Sequence, residues 1–308
     1  MKTIAEAEFQ KALDWCAAVL GPITVMSDHS KVHGGHASST CRLRTSAGFC
    51  YLKVHQSQSH WNNEVCAYER WADAFGGLAP RLLAVRDQAP LALVVGEAPG
   101  RIVDNLQFSV PQERAIWRMA GAALIAFHSR ECGTRFGPCL RDGGCAEAAE
   151  SSAVQHVSAR FGGQIEHAIC AGYVDATEQI VLYAVHALTP AFASERPIPC
   201  HRDYCPANWL VDAMGALTGV IDFEFSHWDV RVADFSRDPN WAWVRRPDLM
   251  AAFFEGYGWS PTAAQEQQLI VAHAEYALGA IIWGRENAFF GFEGEGREAI
   301  SRLAVQLS

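Results

Sequence analysis

The 308-residue sequence predicts an α+β chain of two lobes, a small N-terminal antiparallel β lobe with one helix and a larger, mainly helical C-terminal lobe. Three observations predict it. Residues 41–45, 49–55, 80–86 and 91–95 are short β-rich runs, the first two joined by the turn signal Ser46-Ala47-Gly48. Gly96-Glu97-Ala98-Pro99-Gly100 then breaks the pattern and sets the lobes at 1–96 and 97–308. Beyond that break the apolar residues recur at helical spacing.

Each element has a local reason. Residues 5–20 form an amphipathic segment stopped by Gly21-Pro22. Residues 60–75 read as the helix of the β lobe, ended by Gly76-Gly77. Ser109 and Gln112 make a capping box, after which Ile116, Ala120, Ala123, Leu124 and Phe127 follow helical spacing, so a helix is predicted over 110–129. Further helices are predicted near 146–160, 175–188, 247–257 and 262–286, the last opened by Ser260-Pro261. Residues 132–145, rich in Gly and Cys, read as a loop. One β-hairpin interrupts the helical part, its apolar runs 208–211 and 217–223 flanking a turn at Gly215.

Composition excludes several classes. With 50% hydrophobic and 19% charged residues the chain is globular rather than disordered. No apolar run approaches the roughly 18 residues that cross a bilayer, and the N-terminus lacks an apolar signal core, so a cytoplasmic chain without a membrane partner is expected. Ten cysteines form no C-x-x-C pair, which argues for reduced, mostly buried thiols rather than zinc or disulfides. The net charge of −9 argues against nucleic acid. Residues 1–97 are balanced, so the whole excess lies in 98–308. Such a field would draw a cationic ligand, and it equally serves solubility.

The hairpin carries the chemistry. Folding it about Gly215 sets residue 208 opposite 222, so the Asn208 amide oxygen and the Asp222 carboxylate face one another. Hard divalent cations such as magnesium take oxygen ligands of this kind and share them with substrate phosphates. Asp203, five positions before Asn208, would be held beside them. The pattern His201-x-Asp203-x-x-x-x-Asn208, followed by Ile221-Asp222-Phe223-Glu224, resembles the catalytic and metal loops of the aminoglycoside phosphotransferase and choline kinase family, which has a protein-kinase-like fold. The resemblance implies Asp203 as catalytic base, Asn208 and Asp222 as Mg2+ ligands, and ATP as the phosphoryl donor.

Upstream residues extend the resemblance. Lys53, the last lysine in the sequence, sits inside the apolar strand 49–55, where it needs a partner, and Glu64 on the following helix is the natural one, with Glu69 as a competitor. The family's strand lysine contacts the α- and β-phosphates. Gly96 and Ala98 resemble the connector that binds adenine, and the backbone near Ser38, with Gly34 and Gly35, resembles a phosphate cover. His128 resembles a structural histidine that ends a helix, and Asp234 resembles the aspartate that braces the catalytic loop. The metal loop ends in Glu224 rather than Gly, and no Ala-Pro-Glu segment follows, both unlike protein kinases.

The acceptor implied is the hydroxyl of a small molecule, with aminoglycosides and other cationic antibiotics as candidates. Asp229, Asp238, Glu286, Glu293, Glu295 and Glu298 offer negative charge for it, and Trp228, Trp241, Trp243, Phe289 and Phe290 offer aromatic walls. The alternatives are choline, homoserine, a sugar or a fructosamine as acceptor, a nucleotide-binding protein without turnover, or a zinc hydrolase using His201 and Asp203.

Overall fold

A computed structural model describes residues 4–28, 38–145, 149–235 and 238–307. The chain divides into two compact units, neither continuous in sequence. The first comprises Met1–Phe108, Pro138–Ala146 and Pro206–His227, and the second Ser109–Gly137, Glu147–Cys205 and Trp228–Ser308.

The first unit is built on five antiparallel strands, β1 (Thr24–Asp28), β2 (Ser38–Thr45), β3 (Gly48–His55), β4 (Leu82–Arg86) and β5 (Leu91–Gly96), in the order β1-β2-β3-β5-β4. Helix α1 (Glu6–Leu20) covers one face, where Ala12 and Cys16 pack on Cys41, Leu43, Cys50, Leu52 and Val54. The two-residue period of β3 sends Lys53 and His55 to the other face. Helix α2 (Gln58–Cys66) lies there, with Trp61 and Val65 against Leu93 and Val95. The helical run continues to Phe75 through a π turn and a 3-10 turn, so residues 60–75 are helical as expected but not uniformly wound. A second sheet, β6 (Arg101–Ile102), β8 (Trp209–Val211) and β9 (Leu217–Val220), holds the hairpin. Its turn needs Gly215, whose φ of 84° is left-handed, and Asp212 Oδ1 accepts from the N–H groups of Met214 and Ala216.

The second unit is mainly helical: α3 (Val110–His128), α4 (Ala153–Cys170), α5 (Ala176–His186), α6 (Asp238–Arg245), α7 (Pro247–Tyr257), α8 (Ala263–Glu286) and α9 (Phe290–Leu307). Strands β7 (Ile198–Cys200) and β10 (His227–Asp229) form a two-stranded sheet. The Ser109 cap holds, its N–H donating to Gln112 Oε1 at 3.1 Å. Helix α4 starts later than residue 146 because Ser152 caps it, accepting from the Gln155 N–H. The sequence reading missed β1, α6, α9 and the short strands β6, β7 and β10. Gly296 of α9 lies where a Cβ would stand 2.5 Å from the Ala277 carbonyl, so the glycine lets α9 approach α8. No described helix is long and apolar enough to cross a membrane. All ten cysteines are free thiols.

Candidate active site

In the first unit the site is a charge cluster around Lys53. Lys53 Nζ lies 2.7 Å from Glu64 Oε1, 2.7 Å from Asp222 Oδ1 and 3.8 Å from Glu224 Oε2. Glu69 pairs instead with Arg141, at 2.7 Å. The second Glu64 oxygen is held by His55, whose Nε2 lies 2.8 Å from Oε2. Sequence reasoning missed His55, although its spacing of two from Lys53 on one strand places both on the same face. Burial disfavours the Lys53 charge, but Asp222, Glu64 and Glu224 outweigh it and hold the ammonium well above its ordinary pKa. Burial likewise opposes ionisation of Glu64, yet Lys53 and His55 lower its carboxyl to about 2. Glu224 goes the other way, pushed up to about 7 by burial and by the Asp222 charge.

One ammonium thus faces three carboxylates. The surplus negative charge is what a divalent cation would neutralise, and the donors are hard oxygens, so the residues fit magnesium. Asp222 is the most accessible of the acids, its side chain 34% exposed against 0% for Glu64 and 7% for Glu224. The predicted register is off by one at this point. Trp209 pairs with Val220, and Ile221 N–H donates to the Asn208 carbonyl at 3.0 Å, so Asn208 stands opposite Ile221 rather than Asp222. The cause is the turn: Val211 pairs with Leu217 and Asp212 N–H donates to the Ala216 carbonyl, so the hairpin is centred on residue 214 rather than 215, and the bulge between Leu210 and Val211 brings the register only part of the way back to the predicted one. Asp222 leaves the strand with a left-handed φ of 70°, and its carboxylate still reaches Lys53. Asn208 ends a 3-10 turn, Pro206–Asn208, and is buried.

The connector is fixed to the sheet. Gly96 N–H donates to the Arg81 carbonyl and Glu97 N–H to the Phe49 carbonyl, while Arg42 grips the Glu97 carboxylate at 2.7 and 3.1 Å. Of the positions expected to meet adenine, Gly96 therefore has its donor engaged, which leaves the Ala98 N–H. Ser38 lies opposite His55 in the β2–β3 register and its side chain hydrogen-bonds Glu224. Gly34 and Gly35 lie outside the described residues.

Asp203 belongs to the second unit, on the loop after β7. Asp234 organises this loop: Oδ2 accepts from His201 N–H at 2.8 Å, and Oδ1 accepts from Arg202 N–H. His128 Nε2 lies 2.8 Å from the same Oδ2, and His128 Nδ1 lies 2.7 Å from the Tyr257 hydroxyl. With Asp234 a carboxylate, His128 donates through Nε2 and accepts from Tyr257, whose phenol burial keeps protonated. Tyr204 O–H donates to the Ala120 carbonyl at 2.8 Å, and Asp203 N–H donates to His201 Nδ1 at 3.3 Å. Arg202 takes a left-handed φ of 64°. Among the described residues, clusters with metal-ligand chemistry are His128–Cys200–Asp234 and His55–Glu64–Glu224. The zinc alternative, His201 with Asp203, belongs to neither.

The acidic and aromatic seat proposed for the acceptor is not assembled as such. Glu286 pairs with His167, Glu293 with Arg285 and Arg297, and Glu298 with Arg302. Trp228 and Trp243 are buried, Glu295 is exposed, and Phe289 and Phe290 are exposed at 57% and 67%. The side chains of Asp238 and Trp241 lie outside the described residues. Asp229 is fully buried and lies 2.6 Å from Arg160, 3.0 Å from Arg202 and 3.1 Å from His156. Arg160 also grips Glu275 through two hydrogen bonds. No local signal announced this network, because its members come from α4, α8, β10 and the loop after β7.

Comparisons with known proteins show the fold and the family. No curated protein matches the chain in sequence. Among solved structures, the apo form of a thermostable mutant of aminoglycoside phosphotransferase APH(4)-Ia is similar with a TM-score of 0.70 and 14% identity, over 96% of this chain and 98% of that one. A ternary complex of another thermostable mutant of that protein with AMP-PNP and hygromycin B gives 0.69 and 17%, over 94% and 96%. The GDP and kanamycin complex of APH(2")-IIia gives 0.62 and 12%, over 93% and 94%. The likeness shows the kinase-like fold. A family model described as the phosphotransferase enzyme family matches residues 28–283, most of the chain, and the chain therefore belongs to that family.

Proposed function

We propose that the chain is an ATP- and Mg2+-dependent phosphotransferase that moves the γ-phosphoryl group to a hydroxyl of a small molecule. The observation that carries the reading is the Lys53 cluster, a buried ammonium held by Glu64 and facing an Asp222 carboxylate that keeps a surplus of negative charge. Lys53 would contact the α- and β-phosphates, Gly96 to Ala98 would meet adenine, and the backbone near Ser38 would cover the phosphates. Asn208 and Asp222 would hold magnesium, which would neutralise the charge that develops on the transferred phosphoryl group. Asp203 would take the acceptor's proton, its loop held by Asp234 so that the carboxylate waits in a fixed place. The free thiols fit a reducing compartment, and a cytoplasmic location is proposed on that ground.

The solved relatives carry hygromycin B and kanamycin, so cationic antibiotics are the first acceptors to try. The arginine-bound state of Asp229 and Glu275 favours a second reading, a metabolite kinase with a less cationic acceptor. A coupled ADP-release assay with Mg-ATP tests the class, with Asp203→Ala as control. The variant is expected to keep ATP affinity and to lose at least about two powers of ten in turnover. Unchanged turnover would remove Asp203 from the reaction.

A further inference from the structure

The second unit holds a cavity of about 230 Å³. Arg202, one residue before Asp203, lines it, so the loop proposed to react forms part of its wall. We infer that this cavity receives the acceptor and selects a hydroxylated molecule with an apolar face that is uncharged or singly negative, not a polycation. The inference rests on the phosphotransferase reading above.

The polar wall consists of Arg160, Gln164, Arg202 and Glu275. Two guanidinium groups therefore stand against one carboxylate, and Asp229, fully buried beside them, brings the local sum to zero. Neither carboxylate is available to an incoming ammonium. Both Glu275 oxygens are held by Arg160, through Nε and, at 2.8 Å, Nη2. Asp229 accepts from Arg160 Nη1 at 2.6 Å and from Val230 N–H at 2.8 Å, with Arg202 Nε at 3.0 Å and His156 Nε2 at 3.1 Å. Burial disfavours the Arg160 charge, but Asp229 and Glu275 outweigh it and hold the guanidinium above its ordinary pKa. A polycation would have to displace an arginine from a buried partner, which strands a charge. A neutral or singly anionic molecule meets no such cost.

The remaining wall gives the ligand its other features. Gln164 Oε1 is buried with no hydrogen-bond partner and would accept from a ligand O–H or N–H. Phe192, Tyr276 and Phe292 offer aromatic surface, and Val157, Val230 and Val232 offer aliphatic surface, for an apolar face.

Calorimetry with hygromycin B, kanamycin and gentamicin, in the presence of Mg-AMP-PNP, tests the charge rule on the parent, Arg160→Gln and Gln164→Glu. The parent is expected to bind all three with Kd weaker than about 1 mM. Arg160→Gln frees Glu275, and Gln164→Glu adds a carboxylate while leaving the arginine network in place. Each is expected to gain at least about tenfold in kanamycin affinity, and Gln164→Glu still decides the matter should Arg160→Gln fail to fold. Parent Kd values below about 100 μM, or no gain in a folded variant, would overturn the inference. A chain that binds no Mg-AMP-PNP fails the phosphotransferase reading and takes this inference with it. One that binds it and phosphorylates kanamycin fails the inference alone.

Discussion

Lys53→Met removes the only cation from a group of three carboxylates, one of them wholly buried, and leaves an apolar stem of similar length. Its cost follows from two routes. Removing one partner of a buried ion pair costs about 3–5 kcal/mol. Independently, lowering the Glu64 carboxyl from 4.5 to about 2 corresponds to about 3 kcal/mol of stability above the unfolded pKa, an amount lost as pH falls through 2. Taking about 4 kcal/mol and about 2.1 cal/mol/K of unfolding entropy per residue, the midpoint of a chain of 308 residues should drop by about 6 °C at pH 8.

The sign of the pH dependence is the sharper test. Without Lys53, burial, the largest influence on Glu64, is opposed by His55 alone, so the carboxyl pKa rises and protonation relieves the variant as pH falls from 8 to 5. The parent keeps Glu64 ionised over that range. The gap in melting temperature between parent and Lys53→Met, measured without nucleotide and with chelator present, should therefore narrow at pH 5. A second substitution, Glu64→Gln, should recover part of the loss at pH 8. Equal gaps at pH 5 and pH 8 would refute the assignment of the penalty to a stranded buried carboxylate.

Asp222→Asn keeps a residue that tolerates the left-handed backbone and removes the charge, so the fold should stand while magnesium ceases to strengthen ATP binding; calorimetry with and without Mg2+ decides. Asp234→Ala leaves the N–H groups of His201 and Arg202 without their acceptor, and should lower kcat far more than it changes the KM for ATP. His273 is half-buried, donates from Nε2 to the Phe235 carbonyl at 3.3 Å, and has its pKa lowered to about 4 by the loss of water around its ring. A depressed histidine gives stability that is present above pH 6.5 and lost as pH falls through 4, here about 3 kcal/mol. His273→Leu should flatten the decline in melting temperature over that window, and an unaltered slope would exclude this group as its cause.

Much of the fold was legible because its signals are local. The Ser46-Ala47-Gly48 turn, the Gly96–Gly100 break and the Ser109 cap each act over a few residues, and period-two and period-3.6 patterns did the rest. Strand β1 escaped because Val25 and Met26 are half-exposed and give no buried stripe, and α9 contains three glycines, of which Gly296 serves packing on α8. Within the site, the order of His201, Asp203, Asn208 and Asp222 and the Lys53–Glu64 pairing could be read, since each involves neighbouring elements separated by few residues. The hold of Asp234 on two backbone amides could be anticipated only through the family resemblance. His55 against Glu64 was missed although its spacing of two from Lys53 puts it on the same strand face, whereas Arg160 between Asp229 and Glu275 brings together residues far apart in sequence and had no sequence signal.

Two of the three described non-glycine residues with positive φ are Arg202 and Asp222, and both flank or supply proposed chemistry. A left-handed L-residue costs roughly 1–2 kcal/mol, so each must be fixed by its surroundings. At Arg202 the fixing groups are Asp234, which takes its N–H, and Asp229, beside its Nε. At Asp222 it is Lys53. Along a regular strand a register change of one residue would turn a side chain to the opposite face. The left-handed step at Asp222 lets a bulged hairpin still deliver its carboxylate to the lysine, so the Lys53–Asp222 contact, rather than strand register, fixes where the Asp222 carboxylate stands.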